Sequence, residues 1–544
     1  MSRKVVDPTA ALLQYRNMKG LGANEISQPM ARPAERVAMT NHFGHLALLL
    51  MLAVSACSRP NPVVCCTDPN DCASIGLNTE NERSCEGDLR CVDNICTEVT
   101  TCLNNEDCTG GAPFCEEGLC VQCLTDPDCS TDAARCSEEH VCVECLQSED
   151  CPAARPFCDV NAHTCRPCQL DSECASEVCD AETGGCVDSA AVVYAAPDAP
   201  AGTACTQANP CSITSAFAIA NLVRETVKLA AGTYVANIAV ADKKVVVHGD
   251  GAILTSNTGT TLAANNRARL RVIGLTIIHA DASGAGEAFM CEEGVDHPFV
   301  EFEAVTIDTM TEGFLARGCT ATVVRSRIHG RSDALLVGAV DDARVTIDQT
   351  LIDGGPSGGV GAFNGAVVRV TNSTIVDQNS PSFGALTGTN GVVLVSFSTI
   401  VNSVIKCGTG VVSCMETAPH GVCIDNSIIA NMLPNAPLNT IEGTRCHIEF
   451  SIAHPQTTAP NGVNNQLSVD PLFVDSVAGN YRLEAGSPAV DSANPSSTLT
   501  IDFDGNPRPQ GAANDRGAFE RLERTEFSTS PVDRSATSNR AALE

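Results

Sequence analysis

Apolar residues return at a long, regular interval between residues 270 and 453. Aligning the chain on Ile277, Ile307, Ile328, Ile352, Ile375, Ile400, Ile429 and Ala453 gives a repeat of about 25 residues. Five positions before each anchor stand Val272, Phe302, Val323, Ile347, Val370, Val395, Ile424 and Ile448. Seven positions before stand Leu270, Val300, Ala321, Val345, Val368, Val393, Val422 and Cys446, again all apolar. Two positions before, hydroxyl residues recur at Ser326, Thr350, Ser373, Ser398, Ser427 and Ser451. Two positions after come turn formers: Thr309, Gly330, Gly354, Asp377, Asn402 and Asn431. Apolar residues two apart share one face of a strand. A long period marks coils stacked one on another. No coil of this length buries its inner face alone. Neighbouring coils about 4.8 Å apart must share one apolar column and satisfy each other's backbone. The pattern predicts an all-β chain, with a parallel β-helix over residues 191–520. An open terminal coil needs covering. The segment Ser215–Leu222 is expected to form a short helix for that purpose, with Cys205 and Cys211 stapling the loop before it.

Particular segments resemble one family. The run Val193-Tyr194 to Pro210-Cys211, followed by Val227 to Tyr234, is similar to the first coil of the pectate-lyase-like superfamily of right-handed parallel β-helices. Asp470-Pro471-Leu472-Phe473, Tyr481-Arg482-Leu483, Gly486 to Asp491, Asp502-Phe503-Asp504-Gly505 and Asp515 to Glu520 resemble the closing coil of secreted members. The resemblance implies fold more than activity. The superfamily holds polysaccharide lyases, hydrolases and epimerases as well as non-catalytic surface proteins. An Arg-Pro-x-x-Arg hallmark of some lyases matches only Arg32 to Arg36, in the leader, so no catalytic residue is assigned. Residues 521–544 are expected to be a disordered tail.

Cysteine alters the picture upstream. Of the 31 cysteines, most fall between Cys65 and Cys186. From Cys102 they recur as four-cysteine units, Cys102-Cys108-Cys115-Cys120 being the first and Cys168-Cys174-Cys179-Cys186 the last, after an irregular leading unit. The units hold too few large apolar residues for a core, so disulfides must hold them. The pairing is not readable from spacing. An acidic residue precedes the second cysteine of each unit: Asp71, Asp107, Asp128, Asp150 and Glu173. Residues 58–190 resemble the tandem cysteine-rich modules of EB-like or Dickkopf-like extracellular proteins. The Cys-x2-Cys steps read as disulfide cysteines in an oxidising compartment, not zinc ligands. Clusters such as Asp68-Pro69-Asn70-Asp71 leave calcium open, without the longer pattern of a calcium loop.

Residues 1–57 read as an export leader. Arg32 and Arg36 precede an apolar run from Leu46 to Ala56, too short to span a bilayer. Val54-Ser55-Ala56-Cys57 resembles a bacterial lipobox, which implies lipidation at Cys57 and an outer-membrane or cell-surface location. The start is expected at Met30 or Met39. The net charge of −31 argues against nucleic acid as a partner.

The alignment also places polar side chains outward. Asp308, His329 and Asp353 fall one position after successive anchors, which predicts an exposed Asp–His–Asp stack flanked by Arg325 and Arg327. Such a group suits an anionic sugar or a proton transfer, and equally suits charge complementarity along a sheet. The leading functional expectation is a lipid-anchored surface protein with a binding or structural role toward a polysaccharide or a cell-surface protein. The alternatives are a surface-anchored polysaccharide lyase or glycoside hydrolase, and a protein-binding cysteine-rich module on a β-helix scaffold.

Overall fold

The computed structural model describes residues 102–522, apart from 131–132, 282–285, 295, 418–419 and 434–439, together with the strand pair Leu89–Val92 and Ile95–Glu98. Cys57, Asp68, Asp71 and the expected tail after residue 522 lie outside the described residues. The chain divides into two compact units. One runs to Gln169 and includes Ala181–Gly185, and the other holds Leu170–Asp180 and everything from Cys186 onward.

In the first unit the cysteines pair first to third and second to fourth. The bonds are Cys102–Cys115 and Cys108–Cys120, Cys123–Cys136 and Cys129–Cys142, then Cys145–Cys158 and Cys151–Cys165. Each repeat is one short helical turn, as at Asn105–Asp107, and one hairpin, as at Phe114–Glu116 with Leu119–Val121. The recurrent acidic residue closes the turn. Asp107 Oδ2 accepts the Leu103 and Asn104 N–H groups at 2.7 and 3.1 Å, and Asp128 and Asp150 do the same one and two repeats on. The residue opening the turn caps the third cysteine, with Asn105, Asp126 and Ser148 accepting from Cys115, Cys136 and Cys158. These side chains satisfy backbone that such a small core leaves open.

The second unit is a right-handed parallel β-helix of three sheets. The first sheet has eleven strands, from Val192–Ala195 to Cys446–Glu449. The second also has eleven, from Gly232–Val235 to Gln466–Leu467. The third has seven, from Ile238–Ala241 to Leu386–Thr389. Registers follow the repeat: Ile277 pairs with Ile307, Ile307 with Ile328 and Ile328 with Ile352, all four side chains fully buried. Phe289, Phe302 and Phe314 pack ring to ring inside the coils.

First and second sheets meet at a tight bend, where one residue of each coil takes a left-handed backbone: Ala304, Arg325, Gln349, Asn372, Phe397, Asn426 and Phe450. The inward hydroxyls sit just after it and close a ladder. Thr350 N–H donates to Ser373 Oγ at 3.1 Å, Ser373 N–H to Ser398 Oγ at 3.2 Å and Ser398 N–H to Ser427 Oγ at 3.1 Å. Each hydroxyl donates in turn to the carbonyl two residues back, as Ser373 does to Thr371 at 2.7 Å. The bend frees a backbone N–H with no strand partner, and the next coil's hydroxyl supplies the acceptor.

The helix Ile213–Ile219 caps the first coils through Ile213, Ala216 and Phe217, with Ser212 at its N-cap and the Cys205–Cys211 disulfide beside it. Late cysteines pair as Cys291–Cys319, Cys407–Cys446 and Cys414–Cys423.

The C-terminal motifs do not form the closing coil that the resemblance implied. They fold back over the outer face of the second sheet. Phe473, Tyr481, Leu483, Ala489, Ala518 and Phe519 pack on Val376, Val401, Ile428, Ala430 and Ile452. Gly517 lies at φ +94°, and a Cβ there would come within 2.8 Å of Ile428. This strap is held internally by Arg508, whose buried guanidinium donates to Glu520 at 2.8 Å and to the Asp515 and Gly517 carbonyls. The physical reason is on the sheet. From Val376 onward Val376, Val401, Ile428, Ala430 and Ile452 give it an apolar outer stripe that needs a cover.

The last cysteine repeat contributes Asp171 to this unit. Its Oδ1 accepts the Cys179 N–H, and its Oδ2 takes Lys228 Nζ at 2.7 Å and lies 3.0 Å from His248 Nδ1. Burial acts to raise the Asp171 pKa, but the bonds from His248, Lys228 and Cys179 outweigh it and hold the carboxyl at about 2.

Two predictions follow from these contacts. Ser373→Ala leaves the Thr350 N–H buried without an acceptor and is expected to cost about 1 to 3 kcal/mol. Ser496→Ala, at an exposed site, is expected to cost almost nothing. Urea unfolding of the two variants measures the difference. A carboxyl held low stabilises the fold above its ordinary pKa near 4 and loses that contribution as pH falls through its folded value. Wild type should therefore exceed Asp171→Asn by about 2 kcal/mol at neutral pH. That gap should close between about pH 4 and 2 in the same assay.

Candidate functional site

The outward face of the second sheet changes character along its length. Early coils present Thr306 and Asp308, then Arg327 and His329, then Leu351 and Asp353. Later coils present Thr374 and Val376, Thr399 and Val401, and Ile428 and Ala430, and these lie under the strap. The polar stretch is where the strap is absent, and Tyr481 marks its edge. Burial pushes the Tyr481 phenol up to about 12, with the carboxylates of Asp377 and Asp353 adding to the effect.

Asp308, His329 and Asp353 stand in one register column on three adjacent strands. His329 Nδ1 lies 3.1 Å from Asp353 Oδ1. Arg327 donates to both oxygens of Asp353, at 3.1 and 2.7 Å. This pairing raises the Arg327 pKa further above its ordinary value, against the desolvation that lowers it. Arg325 sits apart from the column. Its position is the left-handed bend residue, φ +48°, and its guanidinium turns back to Glu303 on the first sheet. The alternation that put Arg325 beside Arg327 breaks at the bend, because a left-handed residue reverses the side-chain direction that a continuous strand would give. Glu303 also receives Arg271 at 3.1 Å, and although burial works to raise its pKa, the Arg271 and Arg325 guanidiniums lower it.

Sequence reasoning missed Arg331. It lies three positions past its anchor, just beyond the strand, and donates to Asp308 at 3.0 and 2.5 Å. The signal was the charge opposite Asp308, but no strand periodicity extends to that position.

The arrangement is layered. The carboxylates of Asp308, Asp353 and Glu303 are 19% to 24% exposed, whereas the guanidinium side chains of Arg327, Arg325 and Arg331 are 49%, 54% and 55% exposed. The acids lie against the sheet and the arginines form the outer surface. On a chain of net charge −31, three arginines of one coil form a local outer strip and reach to carboxylates on the coils before and after it. Each arginine keeps N–H groups directed to solvent, because two donors to a carboxylate leave others of its five free. The half-buried His329, held by Asp353, stands beside the strip in the same column.

No protein-family model matches the chain, and no curated protein matches it. Solved structures do. A pectate lyase, Pel9A, is 14% identical, with 61% of this chain and 96% of that one covered and a TM-score of 0.40. A pectin methylesterase from carrot is 15% identical, over 51% of this chain and 88% of that one, with a TM-score of 0.30. A PL6-family alginate lyase, AlyGC, is 12% identical, over 51% and 57%, with a TM-score of 0.21. The strand ladders, rather than these likenesses, establish the β-helix.

Half-exposed ion pairs contribute little to folding. Asp353→Asn is expected to change stability by less than about 1 kcal/mol, and thermal unfolding at low and high salt measures it. A larger loss would make the column a structural element of the sheet.

Proposed function

We propose that this chain is an exported, surface-anchored β-helix protein that binds an anionic polysaccharide across the uncovered part of its second sheet. The observation that carries the reading is the layered strip, with Arg325, Arg327 and Arg331 outermost over half-buried carboxylates. Guanidinium groups suit the paired oxygens of a uronate carboxylate. The arginines and their acidic partners also span three neighbouring strands, so an extended polymer can meet several coils at once. Disulfides throughout the described cysteine repeats support export to an oxidising compartment. Among the described residues no helix is long and apolar enough to cross a membrane. Anchoring through a lipidated Cys57 is the reading that the lipobox-like sequence supports, and the cysteine repeats then act as an acidic stalk, or as a protein-binding module.

A lyase or hydrolase is the second reading, favoured by the same strip together with His329, a candidate proton carrier beside it. Calcium would assist it if acidic groups recruit the ion.

Residues 58–544, produced in an oxidising compartment, should bind polygalacturonate or alginate. Binding should weaken as salt rises and fall at least tenfold in the Arg327→Ala/Arg331→Ala double variant. Unchanged affinity in that variant removes the reading. New reducing ends, or ultraviolet absorbance from unsaturated products, with or without calcium, would make the enzyme reading primary.

A further inference from the structure

A second groove lies on the first sheet, on the last coils of the helix. Two outward register columns form its floor. One runs Arg369, Leu394, Cys423, His447 and the other Thr371, Ser396, Asp425, Glu449, each across four adjacent strands. One wall is the loop carrying Val412 and Cys414, and the Cys414–Cys423 disulfide ties that wall to the floor. The open groove has a volume of about 440 Å³, within the range of small-molecule sites. None of these residues belongs to the arginine strip, which lies on earlier coils.

The groove has two sides of different chemistry. Leu394, Val412 and the disulfide make an apolar surface. Asp425 and Glu449 face the cavity from neighbouring parallel strands, about 4.8 Å apart along the ladder. Asp425 is held from the side by Asn426 Nδ2 at 3.0 Å, and Glu449 lies 3.6 Å from His447 Nε2. Arg369, at the far end, is taken by Glu416 of the wall loop. Burial, with the Glu449 charge adding to it, pushes the Asp425 carboxyl up to about 6.

We propose that this groove is a binding site for a neutral, hydroxyl-rich sugar unit. A pyranose ring has an apolar C–H face and a rim of hydroxyls. The C–H face fits the Leu394, Val412 and disulfide surface, and adjacent hydroxyls fit the Asp425–Glu449 pair. An acidic sugar is disfavoured, because the carboxylates of Asp425, Glu449 and Glu416 outnumber Arg369 around the groove and repel a further carboxylate. The site thus selects a different class of sugar from the strip on the second sheet, and a polymer carrying both neutral and acidic units could engage both.

The test uses residues 58–544 with neutral manno-, gluco- and galacto-oligosaccharides as probes and oligogalacturonate as the acidic comparison, read by calorimetry and saturation-transfer NMR. One neutral probe should bind, with affinity lowered at least tenfold by Glu449→Gln and by Asp425→Asn and unchanged by Arg327→Ala/Arg331→Ala. Glu449 is partly exposed, so Glu449→Gln should fold even if Asp425→Asn does not, and circular dichroism checks each. Three outcomes overturn the proposal: no neutral probe binds, binding survives Glu449→Gln, or the groove takes calcium and no sugar. Loss of neutral binding only in the arginine variant would assign both ligands to the strip.

Discussion

Every outward feature of this β-helix depends on one constraint: each coil can satisfy its backbone only through the coils before and after it. The strand registers carry that requirement along the sheets, and the Thr350–Ser373–Ser398–Ser427 ladder carries it around the bend, where no strand hydrogen bond is available. Because the inner columns are locked in register, outward side chains a repeat apart are locked as well. Asp308, His329 and Asp353 come together for that reason, and so do Asp425 and Glu449. The scaffold is a ruler, and the chemistry lies on its outer marks.

The outer faces are divided between surface that must be covered and surface that is free. Val376, Val401 and Ile428 expose an apolar stripe that the C-terminal strap covers, at the cost of burying Arg508. Desolvation lowers the Arg508 pKa, while Glu520, Asp502 and Asp515 act to raise it, so the buried guanidinium is retained by surrounding acids and carbonyls. The polar coils next to the strap are left open. The strap therefore defines the limit of the arginine strip without contributing a ligand to it.

The cysteine repeats solve the opposite problem. They have little apolar surface to bury, so covalent bonds and side-chain caps replace a core. Asp107, Asp128 and Asp150 use their carboxylates on their own turns. In the last repeat the same position of the turn that holds Asn105 and Asp126 holds Asp171, which reaches Lys228 and His248 as well. A local capping residue has there become a tertiary contact.

Much of this was legible in sequence because it is periodic. The repeat of apolar residues and hydroxyls determined the β-helix, its inner columns and the Asp308–His329–Asp353 stack, since one period fixes which residues are neighbours across coils. The density of cysteine determined that disulfides replace a core in the first unit, and the paired late cysteines were legible as staples. What breaks the period was decided only by tertiary structure. The left-handed bend turned Arg325 to Glu303, and Arg331 reached Asp308 from beyond its strand. The C-terminal motifs became a strap because their apolar residues found an uncovered sheet face, which no local pattern specifies. The first-to-third cysteine pairing and the loop that walls the Asp425–Glu449 groove depend likewise on where non-repeating chain packs, and packing is a property of the whole molecule.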